Sequence, residues 1–415
     1  MQELIMHGGD IYRNDVRYDF SVNVNPLGMP DEMKAAILGA MEHLGEYPDP
    51  ESEALRKAIS ARIGVPAEEI VPGNGASEIF TAAVHALRPD RVLLAAPSFS
   101  GYEYAVRAME LPEDAVRYYF LKEEEDFVLG REYLEVVRAF GAEAGGAKLG
   151  AEAGGAAAGQ KSGITTGEAA GGQEAVAEGS GIIDSDRPEY AAMAFLACPN
   201  NPNGRLIDPE FLKEIIDTCE ESGVYLILDE CFLDFAERIY EYRKMLSSCE
   251  HPHLIRVGAY TKICAIPGVR LGYAMIRDPE IRERIKRQLP EWNMSAFAQA
   301  AGSSQYDEAA WIEKTQEHLR KEREYLQGVF SEPLIRERIR IYLSEANYMM
   351  LRTEIPLYEK MLERGILIRD CSDYPGLRKG YYRIAVKTHP ENRIFAGTLR
   401  GIVFDAKKSA SPAKR

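Results

Sequence analysis

Short apolar runs alternate along this chain with longer segments whose apolar residues recur three and four positions apart. Val92–Ala96, Ala191–Ala197, Val224–Leu228, Leu254–Val257 and Leu271–Ile276 are almost unbroken in apolar side chains, the pattern of strands in a sheet covered by helices on both faces. The helix signal is clearest over Pro209–Glu221. Phe211, Leu212, Ile215 and Ile216 form its stripe, Asp208 can cap it, Pro209 suits its first turn and Gly223 ends it. Helices are also predicted over Asp31–Leu44, with Ala35, Ile37, Leu38 and Met41 on one face, over Glu51–Ile63, and from the turn Val71-Pro72-Gly73-Asn74-Gly75-Ala76-Ser77-Glu78 to Leu87. The alternation predicts an α/β fold whose large domain rests on a mostly parallel, covered sheet.

After Asp278 the pattern changes to a long charged helix, Tyr306–Phe330, and then to strands at Arg336–Tyr342, Tyr348–Leu351 and Tyr381–Val386. This reads as a smaller α+β domain. The expected organisation is an N-terminal arm and helix (1–50) belonging to the small domain, a large domain (51–278), the C-terminal small domain (279–405) and a tail (406–415). Residues 141–181 interrupt the large domain with little but Gly, Ala, Glu, Ser, Gln and Thr, and Gly141–Ala147 recurs unchanged as Gly150–Ala156. Such a stretch buries too little apolar surface to offset its ordering entropy, so a disordered insertion without a catalytic role is expected. Loop closure costs rise only logarithmically with length, so the fold tolerates it.

Composition narrows the class of protein. The 415 residues are 46% hydrophobic and 28% charged, as in an ordinary multidomain enzyme. A net charge of -15 argues against a general nucleic-acid surface. An acidic protein with an anionic ligand must therefore gather its arginines locally. Met1–His7 has no basic region followed by an apolar one, and no apolar run reaches about 18 residues, so a cytoplasmic protein without membrane contact is expected. The six cysteines are scattered, which suits buried free thiols and predicts no metal site.

Polar residues follow nearly every predicted strand, and in open α/β sheets ligands bind beyond the carboxyl ends of the strands. Lys262 stands just after Leu254–Val257, with Thr261 before it and Arg270 eight residues on. A fixed amine with anion ligands nearby is what a pyridoxal phosphate lysine needs. A Thr-Lys pair alone is an ordinary loop, so other positions must decide. Asp229 ends Val224–Leu228, where a carboxylate could serve as a helix cap or as partner to the cofactor's protonated ring nitrogen. Asn201, in Pro199-Asn200-Asn201-Pro202, is a turn residue or a donor to the ring oxygen. Gly75, Ala76 and Ser77 open a helix whose N–H groups can hold a phosphate. Thr261 and Arg270 could complete that cup, and Tyr102 could stack on the ring.

In this order Gly-Asn-Gly-Ala-Ser-Glu, Pro-Asn-Asn-Pro-Asn-Gly, Asp-Glu-Cys-Phe and Thr-Lys with Arg-Leu-Gly after seven residues resemble fold type I pyridoxal-phosphate aminotransferases, and among them the histidinol-phosphate aminotransferase group. The resemblance covers nearly the whole chain outside the insertion. It implies that Lys262 bonds the cofactor, Asp229 pairs with the ring nitrogen, Asn201 binds the ring oxygen, Tyr102 stacks, and Ser77, Thr261 and Arg270 hold the phosphate. It implies a homodimer in which Tyr47 reaches the partner's cofactor phosphate. Arg383 matches the arginine that takes the substrate α-carboxylate, and Arg369 one that contacts a substrate phosphate. His7-Gly8-Gly9 and Ser21–Gly28 resemble the threonine-phosphate decarboxylases of cobamide synthesis, whose N-terminal segment closes over the substrate phosphate, so His7 and Asn25 join the expected substrate ligands. Phe232 points the same way, because histidinol-phosphate aminotransferases usually carry tyrosine there. The implied reaction is decarboxylation of L-threonine O-3-phosphate. Its alternatives are a histidinol-phosphate or aromatic aminotransferase and a phosphoserine decarboxylase.

Overall fold

Seven strands form the large sheet, in the order Ile70–Gly73, Gly272–Ile276, Leu254–Ala259, Val224–Asp229, Ala192–Ala197, Arg91–Ala96 and Val116–Phe120. Neighbours from Leu254–Ala259 to Val116–Phe120 are parallel, while Gly272–Ile276 runs antiparallel to both strands beside it. The computed structural model describes residues 8–143 and 192–410. Along the central strands successive side chains enter separate cores. Leu93, Ala194 and Leu226 face one, while Leu94, Phe195 and Ile227 face the other. Helices on both faces thus explain why these strands lack alternating polar residues.

All five strands expected in this domain are present. Two more were not legible, and both lie at sheet edges. Ile70–Gly73 contains Pro72, which is tolerated where one side of the strand has no partner, so residues 71–73, turn-like in sequence, form an edge strand. Val116–Phe120 carries Arg117 and two tyrosines, a composition without the aliphatic run of a central strand. The insertion expected at 141–181 begins later than composition suggested, because a helix over 133–143 takes in its first residues. The remainder lies outside the described residues.

A second sheet has the antiparallel order Arg369–Asp370, Tyr381–Ala385, Tyr348–Thr353 and Ile339–Tyr342. The helices Glu308–Phe330 and His389–Ala410 accompany it. The latter continues through Ala410, so residues assigned to a tail from 406 are helical as far as that point. The N-terminal arm joins this part: Tyr18–Asp19 pairs with Ile366–Leu367, and the Phe20 and Phe395 rings lie 5.1 Å apart. From there the arm crosses to the large sheet, where Asn25 N donates to Lys262 O at 2.9 Å. Among the described residues no helix is long and apolar enough to cross a membrane.

Candidate active site

The carboxyl ends of two adjacent parallel strands place the central pair. Asp229 is in register with Val257, and the chain leaves Leu254–Ala259 through a single helical turn, Tyr260–Ile263, that carries Lys262. Both residues line a cavity of about 330 Å³. Ala76, Ser77, Asn201, Thr261, Arg270, Arg369 and Arg383 line it too, so most residues singled out from sequence converge there although they span more than 300 positions. Burial and the nearby Arg383 push the Lys262 ammonium down to about 8. About a tenth of the amine is therefore neutral, and nucleophilic, at pH 7, far more than for an ordinary lysine.

At one end is an anion cup. Helix Ala76–Leu87 begins at Gly75 without a side-chain cap, leaving first-turn N–H groups to face the cavity beside Arg270. Gly75 adopts φ +83°, and a Cβ there would lie 2.4 Å from Arg270 Nη2. Only glycine lets the loop and the guanidinium approach so closely. Arg270 itself has φ +61°, a conformation that L residues rarely adopt.

Asp229 sits opposite, buried, with Oδ1 accepting from Cys231 N at 2.9 Å and Oδ2 from the Tyr102 hydroxyl at 2.6 Å. Burial raises its carboxyl above the usual range, so a cationic partner would relieve a real penalty. Tyr102 does not line the cavity. It packs behind Asp229, stacked on Phe195 at 5.0 Å and edge-on to Phe80 and Phe99. Phe99, the residue before helix Ser100–Arg107, lines the cavity together with Phe80, Phe232 and Tyr374; Tyr102, in the first turn of that helix, is turned into the core. Tyr102, expected from the sequence to stack on the ring, thus stands behind Asp229 rather than on the cavity wall.

The cavity's other end is cationic. Arg383 is 6% exposed, and its Nη1 donates to Asn201 Oδ1 at 2.5 Å and its Nη2 to Ser21 O at 2.9 Å. Among the described residues no carboxylate pairs with it. Arg369, also buried, donates to Asp373 at 2.7 and 2.9 Å. Tyr374 lies between them, a residue without a motif to announce it. Gly8 and Ser21–Asn23 of the arm close the cavity from above. His7 lies outside the described residues. Asn25, an expected substrate ligand, is not among the residues lining the cavity; its Nδ2 donates to Ile263 O at 2.8 Å and Thr315 Oγ1 at 2.9 Å, a brace under the lysine turn. Tyr47 is 81% exposed, its ring tilted against that of Trp292 at 4.8 Å, outside its own cavity.

An uncapped helix beside a guanidinium, a buried carboxylate and an amine of lowered basicity fit the phosphate, ring nitrogen and aldehyde of pyridoxal phosphate. The aminotransferase class I and II family model matches residues 17–135 and 182–399, and the chain belongs to that family of pyridoxal-phosphate enzymes, with the fold type I architecture. Among its relatives is the threonine-phosphate decarboxylase of Salmonella typhimurium, 30% identical over 96% of each chain. The adenosylcobalamin biosynthesis bifunctional protein CobDQ of Leptospira interrogans is 26% identical over 96% of this chain and 40% of that protein. A solved histidinol-phosphate aminotransferase from Clostridium acetobutylicum superposes with a TM-score of 0.74 at 25% identity, covering 94% of this chain and 99% of that one.

Proposed function

We propose that this protein decarboxylates L-threonine O-3-phosphate to (R)-1-amino-2-propanol O-2-phosphate in cobamide synthesis, as a cytoplasmic homodimer. One observation carries the reading: two buried guanidinium groups, Arg369 and Arg383, share a cavity with Lys262 and Asp229. A small substrate with a carboxylate and a phosphate meets both cations at once. The similarity to the Salmonella decarboxylase supports the reaction, and the cobalamin relative supports the pathway.

In this reading Gly75, Ala76, Ser77, Thr261 and Arg270 hold the cofactor phosphate, joined by Tyr47 of a second copy. Asp229 stays ionised against the ring nitrogen, held by Tyr102 and Cys231 N. Asn201 Nδ2, which has no acceptor among the described residues, donates to the ring oxygen. When bound, the cofactor supplies a conjugated ring that accepts the electron pair released from a bond at the substrate α-carbon. Arg383 takes the α-carboxylate and so sets which bond faces that ring. Arg369, freed from Asp373, takes the substrate phosphate, with the arm closing above it. Lys262 Nζ then returns a proton to the α-carbon after CO2 leaves.

Incubating the purified holoenzyme with L-threonine O-3-phosphate and no keto acid is the test, and release of CO2 with the amine product is the expected result. Turnover that requires 2-oxoglutarate would replace this reading with an aminotransferase, the activity named for the Clostridium structure. Competition between phosphothreonine and phosphoserine separates the two decarboxylases.

A further inference from the structure

Among the described residues Tyr374 is the hydroxyl placed between the two cavity arginines. It is 4% exposed and lines the cavity. Its ring lies 5.2 Å from the Arg369 guanidinium carbon. Its hydroxyl is 3.5 Å from Arg383 Nη1 and 3.4 Å from Asn201 Oδ1. Both contacts are longer than the 2.5–3.0 Å typical of a hydroxyl hydrogen bond. Asn201 Oδ1, moreover, already accepts from Arg383 at 2.5 Å. A buried hydroxyl left with only long partners is costly, and here the open side of the group is the cavity. Across that cavity Phe232 offers a ring and no hydroxyl.

We infer that Tyr374 donates a hydrogen bond to the carboxylate that Arg383 binds, and so fixes the rotation of that carboxylate relative to the cofactor ring. Arg383 alone can hold a carboxylate in its guanidinium plane, but a second donor from a rigid ring, braced against Arg369, removes the remaining rotational freedom. Tyr374 is a substrate-positioning residue that discriminates ligands with a carboxylate from those without one. This rests on the placement of the carboxylate at Arg383 in the proposed function, and it holds whichever amino acid is the substrate.

The experiment compares wild-type and Tyr374→Phe holoenzyme by the change in cofactor absorbance on adding ligands in matched pairs. One pair is L-threonine O-3-phosphate and the decarboxylated 1-amino-2-propanol O-2-phosphate. The other is L-glutamate and L-histidinol phosphate, which lacks a carboxylate. The variant should keep the wild-type cofactor spectrum, which shows that it folds and loads. It should bind whichever carboxylate-bearing ligand the wild type accepts about tenfold more weakly, the scale of one hydrogen bond to a charged group. The ligand without a carboxylate should bind unchanged. Equal losses for both members of a pair, or no loss for either, would overturn the inference. A wild type that responds to glutamate and not to phosphothreonine would sink the decarboxylase reading and leave the role of Tyr374 to be judged on the second pair.

Discussion

Lys262 shows how far a single side chain depends on its surroundings. Burial and Arg383 lower its ammonium to about 8, so its neutral form increases as pH rises through that value. The rate at which apoenzyme takes up pyridoxal phosphate, followed by absorbance, should therefore climb across pH 7 to 9 and level off above. In Arg383→Gln a cation is removed, and the midpoint of that climb should move to higher pH. Gly75 gives a second prediction: Gly75→Ala forces a Cβ into Arg270 Nη2 and strains a φ of +83°. Cofactor affinity measured by equilibrium dialysis should fall at least about tenfold, while the far-ultraviolet circular dichroism stays that of the wild type. Lys262, Asp229 and Gly75 were legible in the sequence because each stands beside a strand end or a glycine turn. Tyr374 was not, since it belongs to no motif, and its neighbours in sequence Arg369 and Arg383 do not say which way the intervening loop turns its ring.

At the level of elements, the arm 20–25 is the piece whose role changed most. It reads as polar, turn-rich and loose, yet Ser21, Asn23 and Asn25 are all buried, because the segment is threaded between the second sheet and the lysine turn. Phe20 O accepts from Ala385 N on one side and Asn25 N donates to Lys262 O on the other, at 2.8 and 2.9 Å. Asn25→Ala would leave the Ile263 carbonyl and Thr315 without that donor, a loss of about 1–3 kcal/mol of stability. Thermal denaturation should show a lower midpoint, with KM for the phosphorylated substrate within about twofold of wild type. A large KM increase with unaltered melting would restore the substrate contact that the sequence suggested. Helix Ser100–Arg107 makes a related point. Phe99, still extended before the first turn, lines the cavity, while Tyr102 within that turn reaches Asp229 from behind.

Across the whole molecule, the exposed Tyr47, its ring tilted against Trp292, lies outside the chain's own cavity, as a residue offered to a second copy would. Mixing Tyr47→Ala with Lys262→Ala protein tests this. In a two-fold dimer a heterodimer regains one intact site, so two variants of low activity should together recover about a quarter of wild-type turnover after subunit exchange. No recovery on mixing, with exchange confirmed by mass, would place Tyr47 outside the partner's site. By itself the sequence determined the covered parallel strands and the helix Pro209–Glu221, and it singled out Lys262, Asp229, Asn201 and Arg383, which line one cavity, because hydrophobic period and short motifs are local properties. Only the tertiary structure decided that Tyr102 packs behind Asp229 and Phe99 lines the cavity, that Asn25 braces the lysine turn, and that Tyr374 stands between two arginines. Those outcomes depend on which face of an element is buried and on contacts between residues up to 290 positions apart, and a side chain's use follows from what packs against it.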